Sequence, residues 1–481
     1  MQTIDKKSTK KPWAKAISQP ATEFPLTQLP ILAGKIPDGL RGTLYRNGPA
    51  RLERGGVPVG HWFDGDGAIL AVHFTDAGAT GVYRYVQTTG YQKEEAAGKF
   101  LYGNYGMTAP GVIWNQWIKP VKNAANTSVL ALPHKLLALW EGGKPYALDL
   151  QTLETWGEDN LGTLDHDFSY SAHYKQDPFT GEIFNFSVTP GLNGTLNIYK
   201  SDSTGQIIQQ AAYPLQGVPL IHDFVLAGQY LVFFIPPVRL NLLPVLIGLS
   251  NYSDSLEWRP ELGTEIMVLD KETLSVVSQG ETEPWFQWHF ANGYVDDSGA
   301  VIVDFPGYAD FQTNQYLKEL ATGETHTAAI SKFLRVQLDP QTGKVIKHEQ
   351  LLARHCEFTN VPQQNVGQFS RYTYMSIFRE GTNPSEEILN AIARFDHKTN
   401  TLTEADLGEN RYPSEPLHVT DSQNREQGWV LTVVYDGNSH NSEVWIFDSD
   451  RLDEEPVCKI GLPSVIPHSF HGTWKATGGR V

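Results

Sequence analysis

One local pattern recurs along this chain and limits what it can become: a short β-branched or aromatic run, an Asp-led turn closed by Thr-Gly or Ser-Gly, then another such run. Asp177 to Gly181 precedes IFNF, Asp202 to Gly205 precedes QIIQQAAY, and Asp297 to Gly299 precedes AVIVDF. Asp339 to Gly343 precedes KVIKHEQL, and Asp396 to Asn400 precedes TLTEADLG; Asp270 to Thr273 and Asp448 to Asp450 repeat the idea more loosely. Each turn reverses the chain, because Asp accepts hydrogen bonds from backbone just ahead of it and Gly or Asn tolerates positive φ. Short hairpin-linked strands repeated along most of a chain indicate an all-β repeat architecture. At roughly 40–50 residues per four-stranded blade, with insertions, the 481 residues suit about seven blades. A β-propeller is therefore expected ahead of a large sandwich, with short helices only around residues 110–125 and 314–322. No linker rich in Gly, Ser or Pro divides the chain, so residues 26–481 are expected to form a single domain behind a flexible basic tail over residues 1–25.

A propeller gathers the inner-strand ends of all its blades around one axis, so residues far apart in sequence can meet. The net charge of −16 argues against a nucleic-acid partner, since phosphate binding needs a basic surface that releases counterions. Basic residues stand out only at the start, where Lys6, Lys7, Lys10, Lys11 and Lys15 face a single Asp5. That composition reads as a solvated tail, with weak attraction to an anionic membrane surface as the sharper alternative. Cys356 and Cys458 are the only cysteines, which excludes a disulfide framework and points to a reducing, cytoplasmic compartment. The first residues lack the apolar core of a signal peptide. Leu231 to Leu249, the most apolar stretch, contains Pro236, Pro237, Arg239, Asn241 and Pro244, too many breakers for a spanning helix.

Common catalytic signatures are missing: no P-loop, no G-x-S-x-G elbow, no C-x-x-C and no dinucleotide-binding glycine set. His348-Glu349 with His355 has the wrong spacing for a zinc-protease helix. Asp64-Gly65-Asp66-Gly67 opens like a calcium loop but lacks its later ligands, and reads as a tight acidic turn. Fifteen histidines remain. His326, His397 and His440 lie in polar, turn-like contexts, whereas His173 in YSAHY, His222 in PLIHDFVL, His289 in WFQWHFANG and His471 in IPHSFHGTW lie among large apolar residues. A lone histidine there is usually a core residue with one hydrogen bond. Four of them, on a fold that converges strand ends, favour a shared metal, which residue type alone does not name. Glu141, Glu357 and Glu415 also have apolar flanks and suit the carboxylates that ligating histidines hydrogen-bond. Spacing alone does not select these residues over other histidines and glutamates.

A family resemblance does select them. The segments GTLYRNGPA at 42–50, HWFDGDGAI at 61–69, KNAANTSV at 122–129, LLALWEGG at 136–143 and SAH at 171–173 occur in this order. They continue with IHDF at 221–224, WHFANGY at 288–294, CEF at 356–358, SEP at 414–416 and HGTW at 471–474. From about residue 30 to residue 475 the chain thus resembles the carotenoid cleavage oxygenases. The resemblance implies a seven-bladed propeller capped on one face by loops and short helices. It also implies one Fe(2+) held by His173, His222, His289 and His471, with Glu141, Glu357 and Glu415 as outer partners of three of them. The implied reaction is a dioxygenase cleavage, with O2 as co-substrate, of one C=C bond of a carotenoid or apocarotenoid to two carbonyl products. Relatives that cleave stilbene-type phenolics, and a branch resembling the vertebrate retinoid isomerase that does not cleave, are the alternatives within the enzyme class. A propeller serving only as a binding scaffold is the alternative outside it, disfavoured because no Gly-His to Trp-Asp repeat is present. A hydrophobic polyene must come from a lipid store, so residues 238–249, with 109–114, are expected to form an apolar patch beside a tunnel mouth, against an ordinary buried loop or strand. Trp285, Phe286, Trp288 and Phe305 are candidates for the tunnel wall, core packing being the competing reading.

Overall fold

Seven sheets of four to six strands and two small two-stranded ones account for the ordered backbone in the computed structural model, which describes residues 11–112, 115, 121–164 and 168–477. The larger sheets are the blades of a propeller. Five follow chain order, over residues 128–158, 175–214, 225–282, 292–352 and 356–405; a sixth, over 411–461, takes Ile31–Gly34 from the beginning of the chain as its outer strand. The seventh is assembled from both halves of the sequence. Phe24–Gln28, Gly42–Arg51, Asp66–Thr75 and Gly78–Tyr85 come from one end, and Gly472–Ala476 pairs antiparallel with Gly42–Arg51 as the innermost strand. In that ladder Leu44 faces Trp474 and Arg46 faces Gly472, so the ring is closed by backbone hydrogen bonds.

The blades hold together through apolar faces on both sides, which is why so many strands read as β-branched and aromatic throughout. Tyr230, Phe234, Ile266 and Val268 of the third blade meet Val301, Val303, Phe305 and Val336 of the fourth in one cluster. Each such side chain, when fully buried, contributes roughly 1.5–3 kcal/mol. Between strands, the Asp turns act as expected: Asp177 Oδ1 accepts from the backbone N–H of Phe179 and Thr180, and Asp202, Asp270, Asp339 and Asp396 cap their turns in the same way. At the turn before AVIVDF the capping carboxylate belongs to Asp296, not Asp297.

The helices are few. Gln312–Leu320 lies close to the expected 314–322, and Thr89–Ala97 was not foreseen; its N-terminus is capped by the Thr88 hydroxyl, which accepts from Tyr91 N–H. Of the helix expected around 110–125, residues 113, 114 and 116–120 lie outside the described residues, and 121–125 form none. The tail expected over 1–25 overlaps ordered backbone. Residues 1–10 lie outside the described residues, but Pro12–Ile17 forms a 3-10 helix whose Trp13 is 0 % exposed. Its ring packs near His468 and its indole N–H donates to the Glu386 carbonyl, a tertiary contact that no local pattern encodes. The 231–249 stretch splits into the buried strand Tyr230–Ile235, the strand Val238–Leu240 and the short helix Leu242–Leu246. No helix among the described residues is long and apolar enough to cross a membrane.

Candidate metal centre

Four innermost strands begin at Lys175, Val225, Asn292 and Gly472, and one to three residues ahead of each stands a histidine: His173, His222, His289 and His471. Because inner strands converge on the axis, their approach segments converge too. The His173 ring centroid is 4.3 Å from that of His222, 5.1 Å from His289 and 4.8 Å from His471; His289 and His471 are 4.7 Å apart. Asp223 stitches three of these segments together. It pairs with Lys175 Nζ at 2.8 Å and accepts the Phe290 N–H at 2.9 Å, while sitting next to His222 in sequence.

Three carboxylates stand behind the rings. His289 Nδ1 donates to Glu357 Oε2 at 2.6 Å, His471 Nδ1 donates to Glu415 Oε1 at 3.0 Å, and His222 Nδ1 lies against Glu141 Oε1. Among the described residues His173 has no such partner. Two of these acids are themselves held. Glu357 Oε1 accepts from the Tyr308 hydroxyl at 3.0 Å, and Glu415 Oε2 accepts from Arg46 Nη1 and Gly472 N–H, both at 2.9 Å. Arg46 is 1 % exposed and donates its other nitrogen to the Phe470 carbonyl at 2.6 Å. Phe358 follows Glu357 with φ of 51°, a left-handed conformation that is uncommon outside glycine, and its ring stacks on His289 at 5.6 Å.

Electrostatics matches the geometry. Burial opposes ionisation of Glu357 and Glu415, but His289 for the first, and His471 then Arg46 for the second, outweigh it and hold both carboxyls below the usual range. Burial, followed by the other three histidines, drives His173 well below the ordinary histidine value. With Nδ1 of each ring against a carboxylate, His289 and His471 turn their Nε2 atoms to each other at 3.1 Å, and in the neutral form of both rings these are bare lone pairs. Two facing lone pairs repel unless a cation lies between them. A separation of about 3 Å is that of adjacent ligands on a metal with bonds of about 2.0–2.1 Å. His173 Nε2 is buried with no hydrogen-bond partner, and the donor atoms of His173, His289 and His471 all lie within 4.8 Å of one another. The residues present therefore fit a metal ion.

The centre lies in the wall of a cavity of about 640 Å³. Trp62, Phe63, Trp140, Phe168, Trp288 and Phe470 supply much of its apolar surface. Of the four aromatics expected to form a tunnel wall, only Trp288 lines it. Trp285 and Phe305 are buried between the third and fourth blades, and Phe286 packs behind Trp288. The other suspected motifs are spent on structure. Asp64 accepts the His61 and Gly106 N–H groups, Asp66 pairs with Arg54 and Lys122, and His348 pairs with Glu283 far from His355 in the ladder. Arg46, Asp223, Tyr308 and Phe358 went unrecognised as site residues. Only Arg46 left a trace, as a charge within the buried part of the strand Gly42–Arg51.

Comparison with known proteins agrees with this arrangement. Residues 17–476 match the family described as RPE65, retinal pigment epithelial membrane protein. The chain is 31% identical over 460 residues to an apocarotenoid-15,15'-oxygenase of Synechocystis, covering 92% of each protein. It is 27% identical over 480 residues to resveratrol cleavage oxygenase 1 of Aspergillus fumigatus, covering 94% of this chain and 93% of that one. The structure of cobalt-substituted Synechocystis ACO superposes with a TM-score of 0.86 at 29% identity, over 97% of this chain and 98% of the other.

Proposed function

Since the chain belongs to the RPE65 family, which includes carotenoid and apocarotenoid oxygenases, we propose that it is a non-haem iron(II) dioxygenase that cleaves one C=C bond of an apocarotenoid or carotenoid. One alkene and one O2 become two carbonyl products. His173, His222, His289 and His471 are the metal ligands in this reading, and Glu141, Glu357 and Glu415 orient three of them. The observation that carries it is the pair of bare Nε2 atoms of His289 and His471, 3.1 Å apart beside the unpartnered Nε2 of buried His173.

Iron(II) held there supplies the site at which O2 is activated beside the double bond. The chain's own residues do the rest. Each carboxylate holds an Nδ1 proton, so the ligating nitrogen stays unprotonated and the ring cannot turn. Four neutral imidazoles leave the charge of the cation uncompensated by ligands, and the carboxylates balance it from one layer further out. Trp140, Phe168, Trp288 and Phe470 exclude water and confine a flat polyene, whose chosen double bond must lie within a fraction of an ångström of its reactive position.

The similarity to the Synechocystis apocarotenoid oxygenase, at 31% identity, favours an apocarotenoid over a stilbene. Delivery from a lipid surface is part of the proposal. Leu243 and Leu249 are 66% and 73% exposed around the helix Leu242–Leu246, and Val121 is both exposed and part of the cavity wall. Residues 113 and 114 of the expected second patch lie outside the described residues. Metal analysis of the purified protein should give about one iron per chain, as four imidazoles around a single ion require. Incubation with an apocarotenal and a stilbene under 18O2, followed by mass analysis, should give labelled carbonyl products from the apocarotenal. Iron-loaded protein that cleaves only the stilbene would overturn the substrate class.

A further inference from the structure

The cavity continues past the histidines. Near Glu357 it is lined by Tyr308, Leu317, Leu320, Ala329 and Ile388 and by the imidazole of His355, one of two in the lining besides those of the centre, the other being His468. The His355 ring is unlike the four at the centre. Its Nδ1 accepts the Ser331 backbone N–H at 2.8 Å, and the Ser331 hydroxyl hydrogen is committed to the Cys356 carbonyl at 2.6 Å. An imidazole that accepts at Nδ1 carries its proton on Nε2. Burial keeps the ring neutral by pulling its pKa down to about 4. Phe378 stacks on it at 4.9 Å and Tyr308 meets it edge-on at 6.1 Å, so its orientation is fixed. The Nε2–H has no acceptor among the described residues. A second donor lies on the neighbouring strand. Ser376 pairs with Glu357 across the ladder and also lines the cavity, and its buried hydroxyl has no partner among the described residues. A buried donor without an acceptor, as at Ser376, is rare in folded proteins and calls for an explanation, and half-buried His355 lines the same cavity.

We propose that His355 Nε2–H, with the Ser376 hydroxyl on the strand that pairs with Glu357, binds an oxygen at the end of the polyene and so selects oxygen-ended substrates over hydrocarbon-ended ones. This rests on the polyene-cleaving reading above. A carbonyl oxygen has two lone pairs and satisfies both donors; an alcohol oxygen accepts as well; a hydrocarbon end leaves both donors stranded. A site built to hydrogen-bond a substrate oxygen rejects the analogue without it by that stranding. Holding one end also sets which double bond stands at the histidines, so His355 measures length as well as reading chemistry.

Three polyenes of equal length, ending in an aldehyde, a primary alcohol or a methyl group, test this with wild type, His355→Phe, His355→Gln and Ser376→Ala at matched iron content. Wild type should prefer the aldehyde to the methyl compound in kcat/KM. His355→Phe should reduce that ratio by at least about tenfold, mostly through KM, with products shifted along the chain. His355→Gln, which keeps a donor, should recover part of the preference, and Ser376→Ala should lower it by a smaller factor. An unchanged ratio in folded His355→Phe overturns the proposal. If that variant does not fold, unchanged ratios in both His355→Gln and Ser376→Ala overturn it instead. Should wild type cleave none of the three, the polyene-cleaving reading itself fails, and tryptophan quenching by the same compounds judges His355 alone. Tighter aldehyde binding that is lost in the variants upholds the site; equal affinities overturn it.

Discussion

Two buried polar clusters differ in one respect. Around Arg54, Asp66, Glu94 and Lys122, two positive and two negative side chains are almost wholly buried and face each other. Lys122 Nζ is 2.7 Å from Asp66 and 2.8 Å from Glu94, Arg54 is 2.8 Å from Asp66, and Glu94 also accepts the N–H groups of Leu101 and Tyr102. At the four histidines Glu357 and Glu415 are equally well held, but the ring nitrogens that point inward are not. Charge burial is common to both clusters. What separates them is an inward set of lone pairs with nothing to meet, and that is the better marker of a site. The first cluster ties the helix Thr89–Ala97 and the segment around residue 122 to the strand that begins at Asp66; it is structural because its charges answer one another.

That contrast can be broken at several points. The largest effect should come from His289→Ala, which removes a ligand; bound iron measured by elemental analysis should fall below about a tenth of wild type, with cleavage lost alongside. Lys122→Met leaves two buried carboxylates facing each other and should cost about 3–5 kcal/mol of unfolding free energy in a denaturant melt. Its folded fraction should keep wild-type iron, whereas a matching loss of iron would erase the distinction between the clusters. Glu357→Gln keeps the shape but exchanges the carboxylate behind His289 for an amide. Iron affinity or turnover should drop about 10–100-fold with little change in the melt. Replacing Leu242, Leu243 and Leu246 by Ser should have the smallest effect on the protein itself. Liposome flotation should weaken by more than about tenfold, since each leucine buried in lipid is worth roughly 1.5–3 kcal/mol, while activity on detergent-dissolved substrate stays near wild type. Unweakened flotation would remove the lipid-docking role from that helix.

Much of the architecture was legible because it is written locally. Asp turns and β-branched runs act over five or six residues, so Asp177, Asp202, Asp339 and Asp396 mark real strand reversals. The Asp296 cap shows the limit, since either member of an Asp-Asp pair satisfies the pattern and only the backbone decides. Features made by distant contact stayed hidden. Trp13 is buried by residues near 386 and 468, and the helix Thr89–Ala97 turns inward little more than Tyr91 and Glu94, so neither has a periodicity to read. At the centre, the apolar settings of His173, His222, His289 and His471 made them candidates, but family resemblance was needed to single them out. Phe358 could not have been picked, because its role lies in a positive φ, and His355 was dismissed with a spurious motif.

The seventh blade, joined from both halves of the sequence, orders events in time. His471 precedes the strand that zips Gly472–Ala476 onto Gly42–Arg51, and Arg46 in that first strand braces Glu415 behind it. A chain emerging from the ribosome carries three of its histidines well before the fourth, and the fourth is steadied only once the ring has closed. The four imidazoles are thereby brought together only after residue 476 has been made, and a half-made propeller lacks the finished cluster.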